Sequence, residues 1–373
     1  MKPKNRQTFR FFLSGLFFLT VAATLVRAER PPFKIYTTGE GLAHDSVNKI
    51  VRDSRGFLWF CTAEGLSRFD GAKFKNYTQD QGLPHRSVND FLETRDGTYL
   101  VATSGGLTVF NPHGKAYRWN VLESKLEQDS VEPPLFQTYA PDTDIRPKKA
   151  ILSLAQDRGG TIWAGTGFGL FRVDKVNDTW QLAEVEVEKE HKVNFPALLL
   201  DSRGDLLVGS GAGVYRALPD GKFEKLDKYG AASIFEDREG KIWVGAGGNE
   251  IGLRVFERDS SGALKLSKIY TKKDGLPDDI FQFAVRQTSD GRIYVALHKG
   301  LCEFLPAAKE NEPKFRLLES SKVTTLAEDS SGDLWLGTEL LGAWKLARSG
   351  FTSFGEKDGI TETDDVRAIY INA

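Results

Sequence analysis

Two histidines in matching sequence contexts are the residues of this chain best placed for acid/base chemistry. His44 follows Gly41-Leu42-Ala43 and His85 follows Gly82-Leu83-Pro84, so each stands two residues after a Gly-Leu pair. A general base must reach a substrate proton within hydrogen-bond distance and have a suitable pKa. The spacing establishes neither property. It therefore predicts a shared position for the two side chains without assigning a reaction to them.

Acidic residues recur at a fixed distance before glycine, which raises the question of a metal site. Asp53, Asp157, Asp237 and Asp329 each precede a glycine by three positions. A calcium loop supplies several oxygen ligands from one short segment, whereas each of these segments offers mainly one carboxylate. This pattern favours an aspartate that caps a tight turn by accepting backbone N–H bonds. We therefore expect no metal site, and nothing else in the sequence calls for a cofactor.

The two cysteines, Cys61 and Cys302, stand in predicted strands and lack the spacing of metal ligands. An exported fold stapled by disulfides would carry more cysteines than two. We expect both to be small buried thiols.

The acidic residues belong to a longer repeat that specifies the surrounding elements. After Asp-x-x-Gly come apolar residues around an aromatic, then a small residue and threonine, as in the segment from Asp53 through Trp59 to Thr62. Weaker copies keep the register with Thr94 and Thr288 in the Asp slot. The turn glycines are Gly56, Gly97, Gly160, Gly204, Gly240, Gly291 and Gly332. Most of these gaps lie near the ~40–50 residues of a propeller blade.

Two further signatures complete a four-strand unit. Gly-Leu, as in Gly65-Leu66, begins a third strand, and an aromatic pair followed by Thr and Gly-Leu, as in the segment 74–83, marks a fourth strand and the link to the next unit. The opening segment 33–42 and the segment 351–360 carry the fourth-strand signature as well. Seven such units predict an all-β fold, a seven-bladed β-propeller of four-stranded antiparallel blades, whose ring leaves few exposed edges.

The topology of such a unit separates two faces of the ring. The second-to-third turns and the loops that lead into each unit lie on one face, which we call the ring face, and the Asp-x-x-Gly turns lie on the other. We expect ligands on the ring face, because polar groups with an occasional aromatic suit a sugar or another small molecule. The candidate binding residues are His44, Glu64, His85, Phe168, Asn249, Glu250, Asp278, His298 and Glu339. Polar turns on any soluble ring would look similar.

The N-terminus predicts export. Lys2, Lys4, Arg6 and Arg10 precede an apolar run over 11–26, which is typical of a secretory signal peptide over residues 1–28 and shorter than a comfortable membrane helix. An uncleaved anchor is the alternative. Removing these 28 residues, with their five basic groups, takes the formal net charge from −1 to −6. Binding to a phosphate backbone depends on Lys and Arg, so a nucleic-acid partner is disfavoured.

The C-terminus predicts an incomplete unit. Residues 363–373 match a first strand such as 46–51 and then stop without the following turn. The expected organisation is a signal peptide or anchor over 1–28, a propeller over 29–362, and the first strand of a further, missing blade over 363–373. We accordingly expect a leading part of a longer protein, or a truncated reading frame.

With these motifs the chain resembles the two-component regulator propeller family, over about residues 33–371. The resemblance implies the periplasmic input region of a sensor or hybrid histidine kinase, which binds a small molecule or oligosaccharide and relays the signal to an output module. It further implies attachment to the membrane only through the signal segment or a missing downstream helix, and a homodimer through a missing downstream region. No kinase motif is present, so kinase activity is not carried over to this chain.

Two other functions stay open from the sequence. A propeller lyase or hydrolase acting on a glycan could use His44 and His85, although sialidase-type turns place one residue between Asp and Gly and this chain has two. A protein-interaction scaffold could use the two segments that interrupt the repeat. We expect residues 112–149 to form an extended strand pair with a loop, and residues 174–192 to form an edge hairpin with one charged face.

Overall fold

The computed structural model describes residues 33–118, 133–141, 144–177, 179–188, 193–248, 251–277 and 282–348. Within these ranges, 28 strands form seven four-stranded antiparallel sheets. The first strand of each sheet contacts the first strands of the sheets before and after it, and the seventh contacts the first. The seven-bladed β-propeller predicted from the repeat is therefore confirmed. The predicted signal peptide over 1–28 and the predicted first strand of a further blade over 363–373 lie outside the described residues.

The strands are numbered in chain order, and each blade runs from the axis outwards. Blades 1 and 2 contain β2 (Val47–Arg52), β3 (Leu58–Thr62), β4 (Gly65–Phe69), β5 (Phe74–Tyr77), β6 (Val88–Glu93), β7 (Tyr99–Thr103), β8 (Gly106–Phe110) and β9 (Phe136–Tyr139). Blades 3 and 4 contain β10 (Ile151–Gln156), β11 (Ile162–Thr166), β12 (Gly169–Val176), β13 (Thr179–Val185), β14 (Ala197–Leu200), β15 (Leu206–Ser210), β16 (Gly213–Ala217) and β17 (Phe223–Asp227).

Blades 5 and 6 contain β18 (Ala231–Glu236), β19 (Ile242–Ala246), β20 (Leu253–Arg258), β21 (Leu264–Tyr270), β22 (Gln282–Gln287), β23 (Ile293–Leu297), β24 (Gly300–Phe304) and β25 (Phe315–Glu319). Blade 7 contains β26 (Val323–Glu328), β27 (Leu334–Thr338), β28 (Ala343–Leu346) and, as its outermost strand, β1 (Phe33–Tyr36). Short 3-10 turns cover Thr38–Glu40, Gln79–Gln81 and Lys272–Asp274, and one short helix covers Arg146–Lys149.

The first strand of the described chain closes the ring. β1 pairs antiparallel with β28, with Phe33 opposite Leu346 and Tyr36 opposite Ala343. The ring of Tyr36 stacks on Trp335 of β27 at 5.0 Å between centroids. The opening copy of the fourth-strand signature therefore occupies the outer place of blade 7, and the other copy, at 351–354, lies outside the described residues.

The four tryptophans of the repeat occupy the same place in their blades. Trp59, Trp163, Trp243 and Trp335 lie on the second strand opposite the same first-strand position. Each indole packs against the following blade: Trp59 stacks on Phe91 of β6 at 4.5 Å, and Trp335 contacts Phe60 of β3 at 5.4 Å. Aromatic packing of this kind fills the space between sheets, as the repeat predicts.

The aspartate of the repeat has two roles, of which sequence reasoning predicted one. Oδ1 of Asp53 accepts backbone N–H bonds from Arg55 and Phe57, which closes the turn. Oδ2 accepts a hydrogen bond from Nε1 of Trp59 at 2.9 Å. The same indole-to-carboxylate bond occurs in the blades of Asp157, Asp237 and Asp329. Because Trp and Asp are six residues apart in each copy, one pair links the turn to the packing between blades.

The two segments that interrupt the repeat add length to blades 2 and 3. β9, the outer strand of blade 2, follows an insertion after Phe110, of which residues 119–132 lie outside the described residues. β12 and β13 form a long edge hairpin with Val176 opposite Thr179, as expected for the described part of 174–192. Of the strand pair expected within 112–149, the described residues show a bridge between Lys115 and Pro134, followed by β9 and by the short helix over Arg146–Lys149.

Candidate functional site on the ring face

The ring face is built by the leading loops and the second-to-third turns, which bond to each other. The backbone N–H of Ala63 donates to the carbonyl of Ser46, and Ser104 donates to Ser87 in the same way one blade later. The leading loops themselves start with a capping box. Thr37 and Glu40 form this box in the first loop, and Gly41 closes it with a φ of 96°, a value that favours glycine.

Both candidate histidines are held by a local backbone bond. Nδ1 of His44 accepts the backbone N–H of Ser46 at 2.9 Å, and Nδ1 of His85 accepts that of Ser87 at 3.0 Å. In a neutral imidazole with Nδ1 as acceptor, the proton resides on Nε2. Nε2 is then the nitrogen that can donate a hydrogen bond. This arrangement suits a hydrogen bond to a ligand oxygen and does not suit a general base.

Two candidate glutamates form ion pairs along the ring face. Oε1 of Glu64 accepts a hydrogen bond from Arg86 at 2.6 Å, which links the turn of blade 1 to the leading loop of blade 2. Glu339 pairs with Lys322 at 2.8 Å within blade 7. All four side chains are at least one quarter exposed. Ion pairs at this exposure contribute little stability, so both remain available for contacts with a ligand.

Phe168 lies in a groove between blades 3 and 4, apart from these glutamates. The groove encloses a cavity of about 320 Å³. Its wall combines aromatic rings with charges, and its main side chains are Lys148, Phe168, Glu184, Glu188, Phe195 and Tyr215. We call this the blade 3/4 groove. In this groove an aromatic ring and several polar groups surround one volume, the arrangement typical of small-molecule sites.

A charged network fixes one wall of the blade 3/4 groove. Glu188 accepts hydrogen bonds from the Tyr215 hydroxyl and from Nζ of Lys225, the latter at 2.8 Å. Burial, followed by the bond to Glu188, raises the pKa of Tyr215. The bond to Glu188 raises the pKa of Lys225. Opposite this wall, Lys148 pairs with Glu184 of β13. The groove is therefore lined by fixed donors and acceptors around aromatic surface.

The other candidates that the structure describes do not line this groove. His298 is exposed in the second-to-third turn of blade 6, and Asn249, Glu250 and Asp278 lie outside the described residues. Sequence reasoning missed Tyr215, Glu188 and Lys148 as members of a site. The alternating Glu184–Glu188 run was the available signal, and it predicts an edge strand, whereas its last residue turns into the groove beside blade 4.

Metal and thiol chemistry receive no support from the described residues. Within the ranges given above, no cluster of three His, Cys, Asp or Glu side chains is arranged to hold a metal ion. Cys61 and Cys302 are both free and buried, as expected. Burial raises the pKa of both thiols, that of Cys302 to about 12. Among the described residues, no helix has the length and apolar character to span a membrane.

Two segments of the chain match a known repeat family. Residues 41–64 and 317–339 match the family described as two component regulator propeller. Each segment contains a leading loop, the first two strands of a blade and the start of the ring-face turn. No curated protein sequence matches the chain.

Solved structures with the same fold come from proteins of different kinds. One is an extracellular domain described as that of a hybrid two component system, BT3049 of B. thetaiotaomicron, with a TM-score of 0.61 and 17% identity. Another is virginiamycin B lyase of Staphylococcus aureus, with a TM-score of 0.59 and 15% identity over 84% of this chain and 99% of the lyase. A third is PorZ of Porphyromonas gingivalis, a surface component of the type-IX secretion system, with a TM-score of 0.58 and 16% identity.

The coverage of these structures differs. The chain aligns over 85% of its own length but spans 42% of the BT3049 domain, and it aligns over 82% of its length but spans 47% of PorZ. At these identities the likeness shows the fold alone. The described residues therefore form a seven-bladed β-propeller, and within it residues 41–64 and 317–339 match the two component regulator propeller repeat.

Proposed function

We propose that the chain is the periplasmic input region of a two-component sensor and that its ring face binds a small molecule or oligosaccharide. The matches over 41–64 and 317–339 carry the signalling part of this proposal, and the predicted signal segment over 1–28 supports export. The blade 3/4 groove supports binding, since Phe168 offers a flat apolar face and Lys148 and Glu184 offer polar partners. A bound ligand would bridge two blades, and the change in their contacts would be relayed to an output module.

Ligand-dependent thermal stability tests the proposal. The purified chain is screened against a glycan panel by differential scanning fluorimetry, and a hit is titrated into Phe168→Ala and Lys148→Ala variants. We expect a rise in Tm that saturates with ligand and is reduced in both variants. Phe57→Ala is the matched control, because Phe57 is a half-buried aromatic in an Asp-x-x-Gly turn on the opposite face.

Two outcomes would replace the proposal. Turnover of a glycan without a saturable Tm shift would favour a lyase or hydrolase, a reading supported by the paired positions of His44 and His85 and opposed by their Nδ1 bonds to the backbone. A protein partner whose capture depends on 112–149 or 174–192, with neither ligand binding nor turnover, would favour an interaction scaffold.

A further inference from the structure

An arginine occupies a place in the central channel that is apolar in every other blade. Arg286 lies on the first strand of blade 6, opposite Tyr294 in the slot of the repeat tryptophans. The residues at the same position in the other blades are Val51, Leu92, Ala155, Leu199, Phe235 and Ala327. In the other six blades an apolar side chain fills this position between blades. Packing therefore does not require a cation at position 286.

The guanidinium of Arg286 has no protein partner within the described residues. Its Nε is buried without a hydrogen bond, and no acid forms an ion pair with it. Glu328 lies near enough for its charge to favour the cation, but its Oε1 accepts the backbone N–H of Ser289 at 2.7 Å. Burial, the largest cause, lowers the pKa of Arg286, and Arg52 lowers it further.

A fully buried arginine in blade 5, Arg254, shows how this fold satisfies a structural cation. Arg254 in β20 also has a buried Nε without a partner. Its terminal nitrogens, however, bond to the Asp227 carboxylate and to the carbonyls of Tyr229 and Gly230, the latter at 2.7 Å. Arg286 is half-buried, with a buried Nε, and has no comparable set of partners among the described residues. Its terminal nitrogens are therefore open to a ligand, since an unsatisfied cation in a partly buried place is costly.

Arg286 lines a cavity whose charged side chains are mainly basic. The channel cavity of about 360 Å³ is bounded by first strands of blades 1, 4, 5, 6 and 7. Its charged lining residues are Lys49, Arg52, Arg286 and Glu328, three bases against one acid. Ser233 and Thr325 add hydroxyl groups to the wall. None of the ring-face candidates that the structure describes lines this cavity.

We propose that the central channel is an oxyanion site in which Arg286 binds a carboxylate, phosphate or sulfate group. A guanidinium offers planar paired donors that fit such groups in two-point contacts. Lys49 and Arg52 add long-range attraction within the channel. The site is distinct from the blade 3/4 groove, and it does not depend on the signalling role.

Anion titrations of the full chain test this site. Sodium phosphate, sodium sulfate and sodium glucuronate are titrated at matched ionic strength, with glucose as the neutral analogue of glucuronate, and the Tm and the heat of binding are measured. Since sulfate and phosphate stabilise folded proteins non-specifically, the decisive quantity is the difference between the wild type and Arg286→Leu. We expect a saturable response to at least one anion, about tenfold weaker or more in Arg286→Leu, and partly retained in Arg286→Lys.

Stability without anions provides an independent readout. Arg286→Leu places in blade 6 the residue that Leu92 and Leu199 supply in two others, so its Tm without added anion is expected to equal or exceed that of the wild type. Lys73→Gln removes one exposed cation on an outer hairpin and should leave anion binding unchanged. The proposal is overturned if the wild type and Arg286→Leu respond equally, or if none of the three anions gives a saturable response. It is also overturned if glucuronate is the only anion that gives a response and glucose gives the same one. A lowered Tm of both Arg286→Leu and Arg286→Lys without anions would overturn it as well.

Discussion

Arg258 of blade 5 pairs with the Asp201 carboxylate of blade 4, in the place where other blades use an indole. Blade 4 has Leu207 in the tryptophan slot, so Oδ2 of Asp201 has no indole donor in its own blade. Arg258 fills this role and also donates to Asp205 at 2.9 Å. Burial alone would lower the pKa of Arg258, but the bonds to Asp205 and Asp201 raise it. In each described blade that has the repeat aspartate, a side-chain donor therefore bonds to Oδ2 in addition to the backbone donors that bond to Oδ1.

The ion pair of Arg258 and Asp201 predicts that shortening Arg258 destabilises the protein strongly and that a second substitution at Asp201 restores the stability. Arg258→Met leaves the fully buried Asp201 side chain without its cation, which should lower the free energy of unfolding by about 3–5 kcal/mol. Adding Asp201→Thr should recover most of the loss, because blades 2 and 6 use Thr94 and Thr288 in this slot where no indole is present. Urea denaturation measures both variants. Equal stability of the single and double variants would contradict the pairing.

The indole bond of blade 5 predicts a smaller loss. Trp243→Phe keeps an aromatic ring between blades 5 and 6 but removes the indole N–H. In the wild type, Nε1 of Trp243 donates to Oδ2 of Asp237 at 2.7 Å. A buried acceptor without a partner should cost about 1–3 kcal/mol. Combining Trp243→Phe with Asp237→Thr separates the cost of the unpaired carboxylate oxygen from the cost of the changed packing. If the double variant is no more stable than Trp243→Phe, packing alone explains the loss.

Ring closure by β1 predicts that a residue at the beginning of the propeller stabilises its last blade. Tyr36→Ala removes the ring that stacks on Trp335 and contacts Phe69 at 5.5 Å. We expect the free energy of unfolding to fall by about 3 kcal/mol. Lys34→Ala in the same strand, an exposed position, is the matched control and should cost under about 0.5 kcal/mol. Similar effects of the two substitutions would argue against closure by this strand.

The buried thiols predict a loss of stability at alkaline pH. The pKa of Cys302 is raised by burial to about 12, whereas a thiol in the unfolded chain titrates near ~8.5. The folded state therefore retains this proton while the unfolded chain loses it. The contribution to the free energy of unfolding is complete below the pKa of the unfolded chain. Above that pKa the free energy of unfolding falls by up to about 1.4 kcal/mol per pH unit, until the pKa of the folded state is reached. Denaturation of the wild type and Cys302→Ala between neutral and alkaline pH measures this slope.

A thiol reagent checks the same burial directly. Both cysteines should react with a disulfide reagent in urea and stay protected in the native protein, since Cys61 and Cys302 are 0% exposed. Rapid labelling of the native protein at either position would contradict this, as would an unchanged alkaline slope in Cys302→Ala.

The architecture was readable from the sequence because its signals are local. Asp53, Gly56 and Trp59 lie within seven residues, and one hairpin determines their relation. Repetition of this unit predicted the number of blades, their order and the face on which His44 and Phe168 lie. Of the side chains that line the blade 3/4 groove, the sequence analysis named Phe168 and missed Tyr215 and Glu188, because these meet Phe168 through packing of two blades.

The amino-acid sequence by itself determined the repeating blade, since the turn, the alternation of strands and the aromatic slot all act over a few residues. Only the tertiary structure decided which copy of the fourth-strand signature closes blade 7, because both copies satisfy the same local pattern and pairing with β28 depends on where the ring ends meet. It also decided that Arg258 has a carboxylate partner while Arg286 has none among the residues that the structure describes. The carboxylate partners of Arg258 lie in the neighbouring blade, and no local pattern in the sequence indicates that contact.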